Sequence, residues 1–346
     1  MIRLLMLSVD SRELNGDKSM LYIDPTKVKD LAPTHELIDS IESALREEYV
    51  IPLRQVVELP DRDHGGLFVS MPCFDSTGMG VVKLATVLSD NPKVGLPAVQ
   101  AVVVVFSGNG TAVAAIDGVM LTYLRTGAVS ALASKYLSRR SSSHLVVIGT
   151  GGLAPALAAS HCSVRPITHV TVCGRSQERV EQTAAAIQKL VGRPLEITAG
   201  GDVEAAVRAA DIVTCATSSA EPVLRGKWVK DGAHIDLVGS FSPAKRESDD
   251  DVVRRARIYV DNMTGALAEA GDIVDPLGRG VITRERIEGD LSDLARGGVL
   301  GRQNGAEITL FKSVGSAVQD LAAARLIMAR LAPDCYGDNV NMKVLA

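Results

Sequence analysis

Aromatic side chains make up only 3% of this 346-residue chain, with a single tryptophan. That leaves little stacking surface for a large aromatic ligand. Basic excess is missing too: the formal net charge is -4, which removes the positive face that phosphate-backbone binding needs and excludes nucleic acid as a partner. Cys73, Cys162, Cys173, Cys215 and Cys335 are odd in number, far apart and never in a C-x-x-C pair. This spacing argues against a disulfide framework or a zinc site and points to the reducing cytoplasm. His64, His144, His161 and His234 match no metal-ligand spacing, so no metal is expected, and His234 reads as a structural strand residue. The longest apolar stretch, around "LPAVQAVVVVF", falls short of the roughly 20 residues that span a bilayer. At the start, "MIRLLMLSVDSRE" turns polar before signal-peptide length. It reads as a mature N-terminus with "IRLLMLSV" as a strand.

What is present is ordinary globular composition, 46% hydrophobic and 23% charged, in a chain longer than the roughly 250 to 300 residues at which single cores stop growing. Two domains are therefore expected. "ELIDSIESALREEY", residues 36–49, places Leu37, Ile38, Ile41, Ala44 and Leu45 on one helical stripe. From Val50 to Ala115, β-branched runs alternate with turn chemistry such as "DSTGMG" and "SGNGT", which predicts a mostly antiparallel sheet. A long helix, "MLTYLRTGAVSALASKYL", then ends in the polar connector "SRRSSS". Beyond it, short apolar strands and helices alternate from "HLVVIG" to "RIYVD", the pattern of a parallel sheet covered on both faces. The last helix, "GSAVQDLAAARLIMARLA", lies outside that alternation and is expected to return to the first domain. The acidic "SDDD" reads as a helix N-terminal charge cluster.

The turn after "HLVVIG" reads "GTGGLA". Gly149, Gly151 and Ala154 match G-x-G-x-x-G/A, with Thr150, Gly152 and Leu153 between them, where backbone approaches a pyrophosphate at a helix start. The second strand ends in Gly174, Arg175 and Ser176 instead of an acid. Without a carboxylate to repel a 2′-phosphate, NADPH is favoured over NADH; otherwise Arg175 is a solvated residue at a helix start.

Three cations stand in apolar surroundings. Arg125 lies on the helical stripe Leu121, Arg125, Ala128, Leu132; Lys83 interrupts "GVVKLATVL"; Arg54 follows "VIPL". Each has a structural explanation: a snorkelling lysine, an edge-strand arginine, or a pair with Glu58 or Asp75. Together they suggest one anion site for a small carboxylate.

"PLRQVV", "GVVKLATVLSDNPKVGLP", "AAIDGVMLTYLRTGAVSALASKYL", "GTGGLA", "DGAHIDLVGS", "YVDN", "EAGD" and "ITLFKSVGSAVQDLAAA" resemble, in order and spacing, the ornithine cyclodeaminase and mu-crystallin family. The resemblance implies an α/β architecture: a Rossmann-type doubly wound parallel sheet, residues 126–314, inserted in a second α+β domain for substrate and dimerisation, residues 1–125 with 315–346. It implies a homodimer using NAD(H) or NADP(H) on amino or cyclic imino acids. It places Arg54, Lys83 and Arg125 at carboxylate-binding positions. Thr126, the "GTGGL" loop, "GRS", Thr217, Ser218, Val238 and Ser313 fall at cofactor-contacting positions, and Glu269 at a substrate-side acid.

Cyclodeaminases carry an aspartate where "GSFSP" has Phe241. Cyclodeamination calls for a positioned proton-transfer group, and a phenyl ring supplies none. The loop resembles instead that of the reductase branch, which reduces Δ1-pyrroline-2-carboxylate to L-proline and Δ1-piperideine-2-carboxylate to L-pipecolate. Phe241 is then expected against the substrate ring or the nicotinamide, or else as core packing under a loop. Competing expectations are an ornithine cyclodeaminase using another acid, an alanine-dehydrogenase-like enzyme, and a mu-crystallin-like NADPH-dependent binding protein.

Overall fold

The structure, a computed structural model, describes residues 20–59, 66–88 and 90–331. The strand expected at "IRLLMLSV", His64 and Cys335 lie outside the described residues.

The β-branched N-terminal half forms strands β1 (Leu21–Ile23), β2 (Tyr49–Val50), β3 (Gln55–Glu58), β4 (Leu67–Asp75), β5 (Gly80–Val87), β6 (Val99–Phe106) and β7 (Ala112–Asp117). They build one sheet in the order β1-β7-β6-β5-β4-β2, with β3 also on β4. The sheet is antiparallel except where β1 joins β7 in parallel. Asp75 closes the β4–β5 turn by accepting from the Thr77 N–H and hydroxyl and the Met79 N–H. Side chains alternate across a strand, so Val81, Lys83 and Ala85 share the core face of β5, and all three are buried. A lysine thus faces the core.

Helices α1 (Pro25–Leu31), α2 (Thr34–Ala44) and α3 (Gly118–Leu137) follow in chain order. The expected stripe on α2, Leu37, Ile38, Ile41, Ala44 and Leu45, is buried. The helix stops at Ala44, however, and Tyr49 instead pairs with Asp75 in the sheet. Pairing across the chain outweighs the local periodicity there. Helix α3 is buried nearly all round because it packs on α2 and β6 on one side and on strands of the second sheet on the other. It runs unbroken through Arg125 and Thr126.

The second sheet comprises β8 (His144–Ile148), β9 (His169–Cys173), β10 (Glu196–Ala199), β11 (Ile212–Cys215), β12 (His234–Leu237), β13 (Arg257–Val260), β14 (Ile287–Asp290) and β15 (Thr309–Lys312). All are parallel, in the order β10-β9-β8-β11-β12-β15-β13-β14. The remaining helices are α4 (Ala154–Val164), α5 (Gln177–Val191), α6 (Val203–Ala209), α7 (Asp250–Arg255), α8 (Met263–Glu269), α9 (Gly271–Gly278), α10 (Leu291–Arg296) and α11 (Ala317–Leu331). Strands β11, β12 and β15 are buried at every position, as expected of a sheet with both faces covered. The order reverses between β8 and β11, which opens a crevice at the carboxyl ends of those strands. Helix α11 leaves the second sheet and packs on α2, α3, β4 and β5 of the first. Among the described residues no helix is long and apolar enough to cross a membrane.

Candidate functional site

The crevice is lined by the ends of strands. Gly149 leaves β8 at φ +126°, and a Cβ there would lie 2.4 Å from the Ala216 carbonyl oxygen at the end of β11, so only glycine fits. Space is open around Gly151, where a side chain would meet nothing within 4 Å. Thr150 and Gly152 complete the turn, and Leu153 precedes α4 with no side-chain cap; the Ala154 N–H bonds the Gly151 carbonyl and Pro155 has none, so the N–H groups of the turn and of Ala156 are those left to an anion. Gly174 lies beside Thr150, Arg175 is exposed, and the Ser176 hydroxyl caps α5 by accepting from the Arg179 N–H at 3.4 Å. Thr217 and Ser218 follow β11 and Val238 follows β12, across the switch point from the glycine turn. A dinucleotide fits these residues: the cradle is glycine-lined, uncapped and open.

The three cations converge at the edge of this crevice. Lys83 and Arg125, 4% and 5% exposed, share the buried carboxylate of Asp320 on α11. Lys83 Nζ is 2.8 Å from its Oδ2 and Arg125 Nε donates to its Oδ1 at 3.1 Å. A second Arg125 nitrogen donates to Gln319 Oε1 at 2.8 Å. Arg54 donates to the carbonyls of Val314 and Gly315 at 3.1 and 2.7 Å and pairs with Glu269 at 3.1 Å. Gly315 stands between the two arginines, since a Cβ on it would be 3.1 Å from the Arg125 guanidinium. Arg54 also acts electrostatically on Lys83. The loop that seats Arg54 is itself held by Asp261, which accepts from the Ser313 hydroxyl and the Gly315 N–H at 3.0 and 2.7 Å. Thr126, beside Arg125, is buried.

Arg54, Lys83 and Arg125 share the pocket with the carboxylates of Asp320 and Glu269, which pair with them directly, and of Asp261, which lies behind the Gly315 loop. Burial, reinforced by Arg125 and Arg54 and opposed by Asp320, brings the Lys83 ammonium down to about 8. Burial raises the Glu269 carboxyl against the pull of Arg54. Neither Glu58 nor Asp75 partners these cations. Asp75 pairs with Arg325 at 2.6 Å, and Glu58 is exposed on β3.

Asp320 escaped the sequence reading because a lone aspartate in "SAVQDLAAA" looks like a solvated helix position. Phe241 is 40% exposed, so core packing under its loop is excluded. The flanking Ser240 is buried, its hydroxyl donating to the Lys245 carbonyl. His161 is also buried, held between the Ser134 hydroxyl and Asp236 at 2.9 and 3.1 Å. It braces α3, α4 and β12 and stays outside the crevice chemistry. Among the described residues no group of His, Cys, Asp and Glu could hold a metal.

Comparison with known proteins gives a consistent result. The ornithine cyclodeaminase/mu-crystallin family matches residues 20–333. A Δ1-pyrroline-2-carboxylate reductase of Colwellia psychrerythraea is 37% identical over 301 residues, 86% of this chain and 95% of the relative. The Δ1-pyrroline-2-carboxylate reductase of Thermococcus litoralis, solved in complex with NADH and L-proline, superposes with TM-score 0.86 at 33% identity. That match covers 93% of this chain and all of the other. An archaeal alanine dehydrogenase dimer with bound NAD has TM-score 0.83 at 27% identity, over 92% of this chain and 98% of the other.

Proposed function

The chain belongs to the ornithine cyclodeaminase/mu-crystallin family, and from that premise we propose that it reduces cyclic ketimine carboxylates with a nicotinamide cofactor. Δ1-pyrroline-2-carboxylate would give L-proline, and Δ1-piperideine-2-carboxylate L-pipecolate. The observation that carries this reading is the clustering of Arg54, Lys83 and Arg125 in one pocket at the edge of a dinucleotide crevice.

Held in the cradle of Gly149, Gly151 and Gly152, a reduced nicotinamide dinucleotide would be the source of the hydride that the imine carbon requires. The chain's own residues do the rest. Arg54 and Arg125 offer a carboxylate the guanidinium N–H groups that Val314, Gly315, Glu269, Asp320 and Gln319 leave free, and the Lys83 ammonium adds a point charge. Holding the substrate this way fixes the imine carbon in place, and positioning is the main contribution a protein makes to such a transfer. The nitrogen takes its proton before or during binding, so the position of Phe241 needs no acid. The exposed phenyl ring of Phe241 offers an apolar face to the substrate ring or the nicotinamide.

NADPH is the cofactor we favour, because the strand β9 is followed by the exposed Arg175 and the Ser176 hydroxyl and by no carboxylate. We assign carboxylate binding and dimerisation to the first sheet with α11, and dinucleotide binding to the second sheet. The chain is proposed to act as a homodimer in the cytoplasm. The dimer reading rests on the apolar residues left exposed around β3, and the cytoplasmic one on thiols at Cys73, Cys162, Cys173 and Cys215 that are free and buried.

Cofactor oxidation by the purified protein, followed with each imine and with NADPH or NADH, tests the reading. Turnover that needs no free ammonia and is lost in Arg54→Ala is expected. Silence with both imines and both cofactors overturns it.

A further inference from the structure

Glu247 has no exposed surface and no place in the scheme above, yet its carboxylate ties together two walls of the crevice. Its Oε1 accepts from the Thr217 N–H at 2.7 Å and the Thr217 hydroxyl at 3.0 Å. Its Oε2 accepts from the Gly239 N–H at 2.7 Å and the Ser240 N–H at 3.3 Å. Thr217 continues β11 and Gly239 continues β12, neighbouring strands on the far side of the switch point from the glycine turn. By the two-halves construction of such sheets, that side receives the nicotinamide half of the dinucleotide. The two walls approach closely: a Cβ on Gly239 would lie 2.1 Å from the Thr217 carbonyl oxygen and 2.5 Å from Glu247 Oε1.

Behind Glu247 stand two more fully buried charges. Lys312 Nζ, from β15, is 3.3 Å from Asp272 Oδ2 and 4.0 Å from Glu247 Oε2. Asp272, on α9, accepts from the N–H groups of Glu247 and Ser248 and the Ser248 hydroxyl, each at 2.9 Å. The one other titratable side chain bearing on this cluster from β11 is the buried thiol of Cys215. Two carboxylates and one ammonium buried together are a poor way to gain stability, since apolar side chains of similar volume commonly do as well. What the arrangement does give is a fixed geometry for two loops.

We propose that Glu247 is a positioning residue for the dinucleotide, clamping Thr217 to Gly239 and Ser240 so that the nicotinamide half of the crevice is preformed. The proposal rests on the dinucleotide reading of the crevice and is independent of which imine is reduced. It also carries a pH signature. Burial, together with Asp272, pushes the Glu247 carboxyl up to about 7, against the pull of Lys312 and the N–H groups of Thr217 and Gly239. Protonation turns one acceptor oxygen into a donor and releases one wall, so dinucleotide affinity is full above that pH and falls below it.

Direct binding tests this, with NADH and no imine present, between about pH 6 and 8.5. NADH is the probe because it lacks the 2′-phosphate, which itself titrates near 6. The wild type should bind roughly tenfold more weakly at the acid end. Glu247→Gln should bind about tenfold more weakly at the alkaline end, as for losing charge-assisted hydrogen bonds, and show no pH slope, with thermal unfolding reporting whether the fold is kept. If Glu247→Gln does not fold, Glu247→Asp, which keeps the charge but shortens the reach, should keep a pH slope and lose affinity. A Glu247→Gln protein with wild-type affinity and slope, or a wild type whose NADH affinity is flat, overturns the clamp. A wild type that binds no dinucleotide at all overturns the proposed function itself.

Discussion

At the scale of single residues, Lys83 and Asp320 decide how the pocket responds to pH. A lysine brought down to about 8 keeps its ammonium below that value and loses it above. The KM for either imine is therefore expected to climb as pH rises through about 8, and steady-state profiles up to about pH 9.5 check it; a flat KM contradicts it. Asp320, paired with Lys83 at 2.8 Å, holds the Lys83 charge in place. In Asp320→Asn the alkaline rise should begin at lower pH. Leaving Lys83 and Arg125 buried with no carboxylate between them should also cost on the order of 3 to 5 kcal/mol of stability, measurable by urea unfolding. The cations were legible in the sequence because Lys83 breaks a strand pattern and Arg125 a helical stripe. Their carboxylate was not, because Asp320 meets Arg125 across 195 residues of chain and no local period records that meeting.

Elements were legible where local pattern and tertiary role agree. Strands β8 to β13 read correctly because each is a short apolar run between turn signals, and the glycine turn read correctly because it sits between a strand and a helix. The disagreements have physical causes. Helix α2 ends at Ala44, before the expected Tyr49, because Tyr49 pairs with Asp75 and stacks under Arg325 at 5.5 Å. Strands β14 and β15 escaped notice because β15, late in the chain, inserts between β12 and β13, an order no alternation of short runs encodes. Backbone demands at the glycine turn give a prediction at this scale. Gly149→Ala would place a methyl 2.4 Å from the Ala216 oxygen in a conformation, φ +126°, that L side chains rarely adopt. Its NADH affinity is expected to fall at least tenfold, read by equilibrium binding; wild-type affinity would mean that the β8–β11 contact does not shape the cradle.

For the whole molecule, the informative feature is an apolar strip that nothing among the described residues covers. Leu53 is 66% exposed and Val57 54%, with Val50 and Val56 beside them. They lie along β2, β3 and the segment between, and that same segment carries Arg54. Large apolar side chains left exposed along one segment suit an interaction face, and the archaeal alanine dehydrogenase to which the chain is similar is a dimer. If two copies meet on this strip, association covers the apolar side chains and at the same time stiffens the segment that delivers Arg54 to Glu269 and Gly315. Substrate affinity is then coupled to assembly through Arg54, while the glycine cradle, on the second sheet, is not. Placing a charge in the strip separates the two. Val57→Asp is expected to shift sedimentation from dimer toward monomer and to raise imine KM at fixed enzyme concentration while leaving NADH affinity unchanged. Raising the enzyme concentration should restore part of the lost affinity, because association is concentration-dependent. A Val57→Asp protein that sediments as the wild type does, or a monomer with unaltered imine KM, would remove this strip from the account of how the pocket is completed.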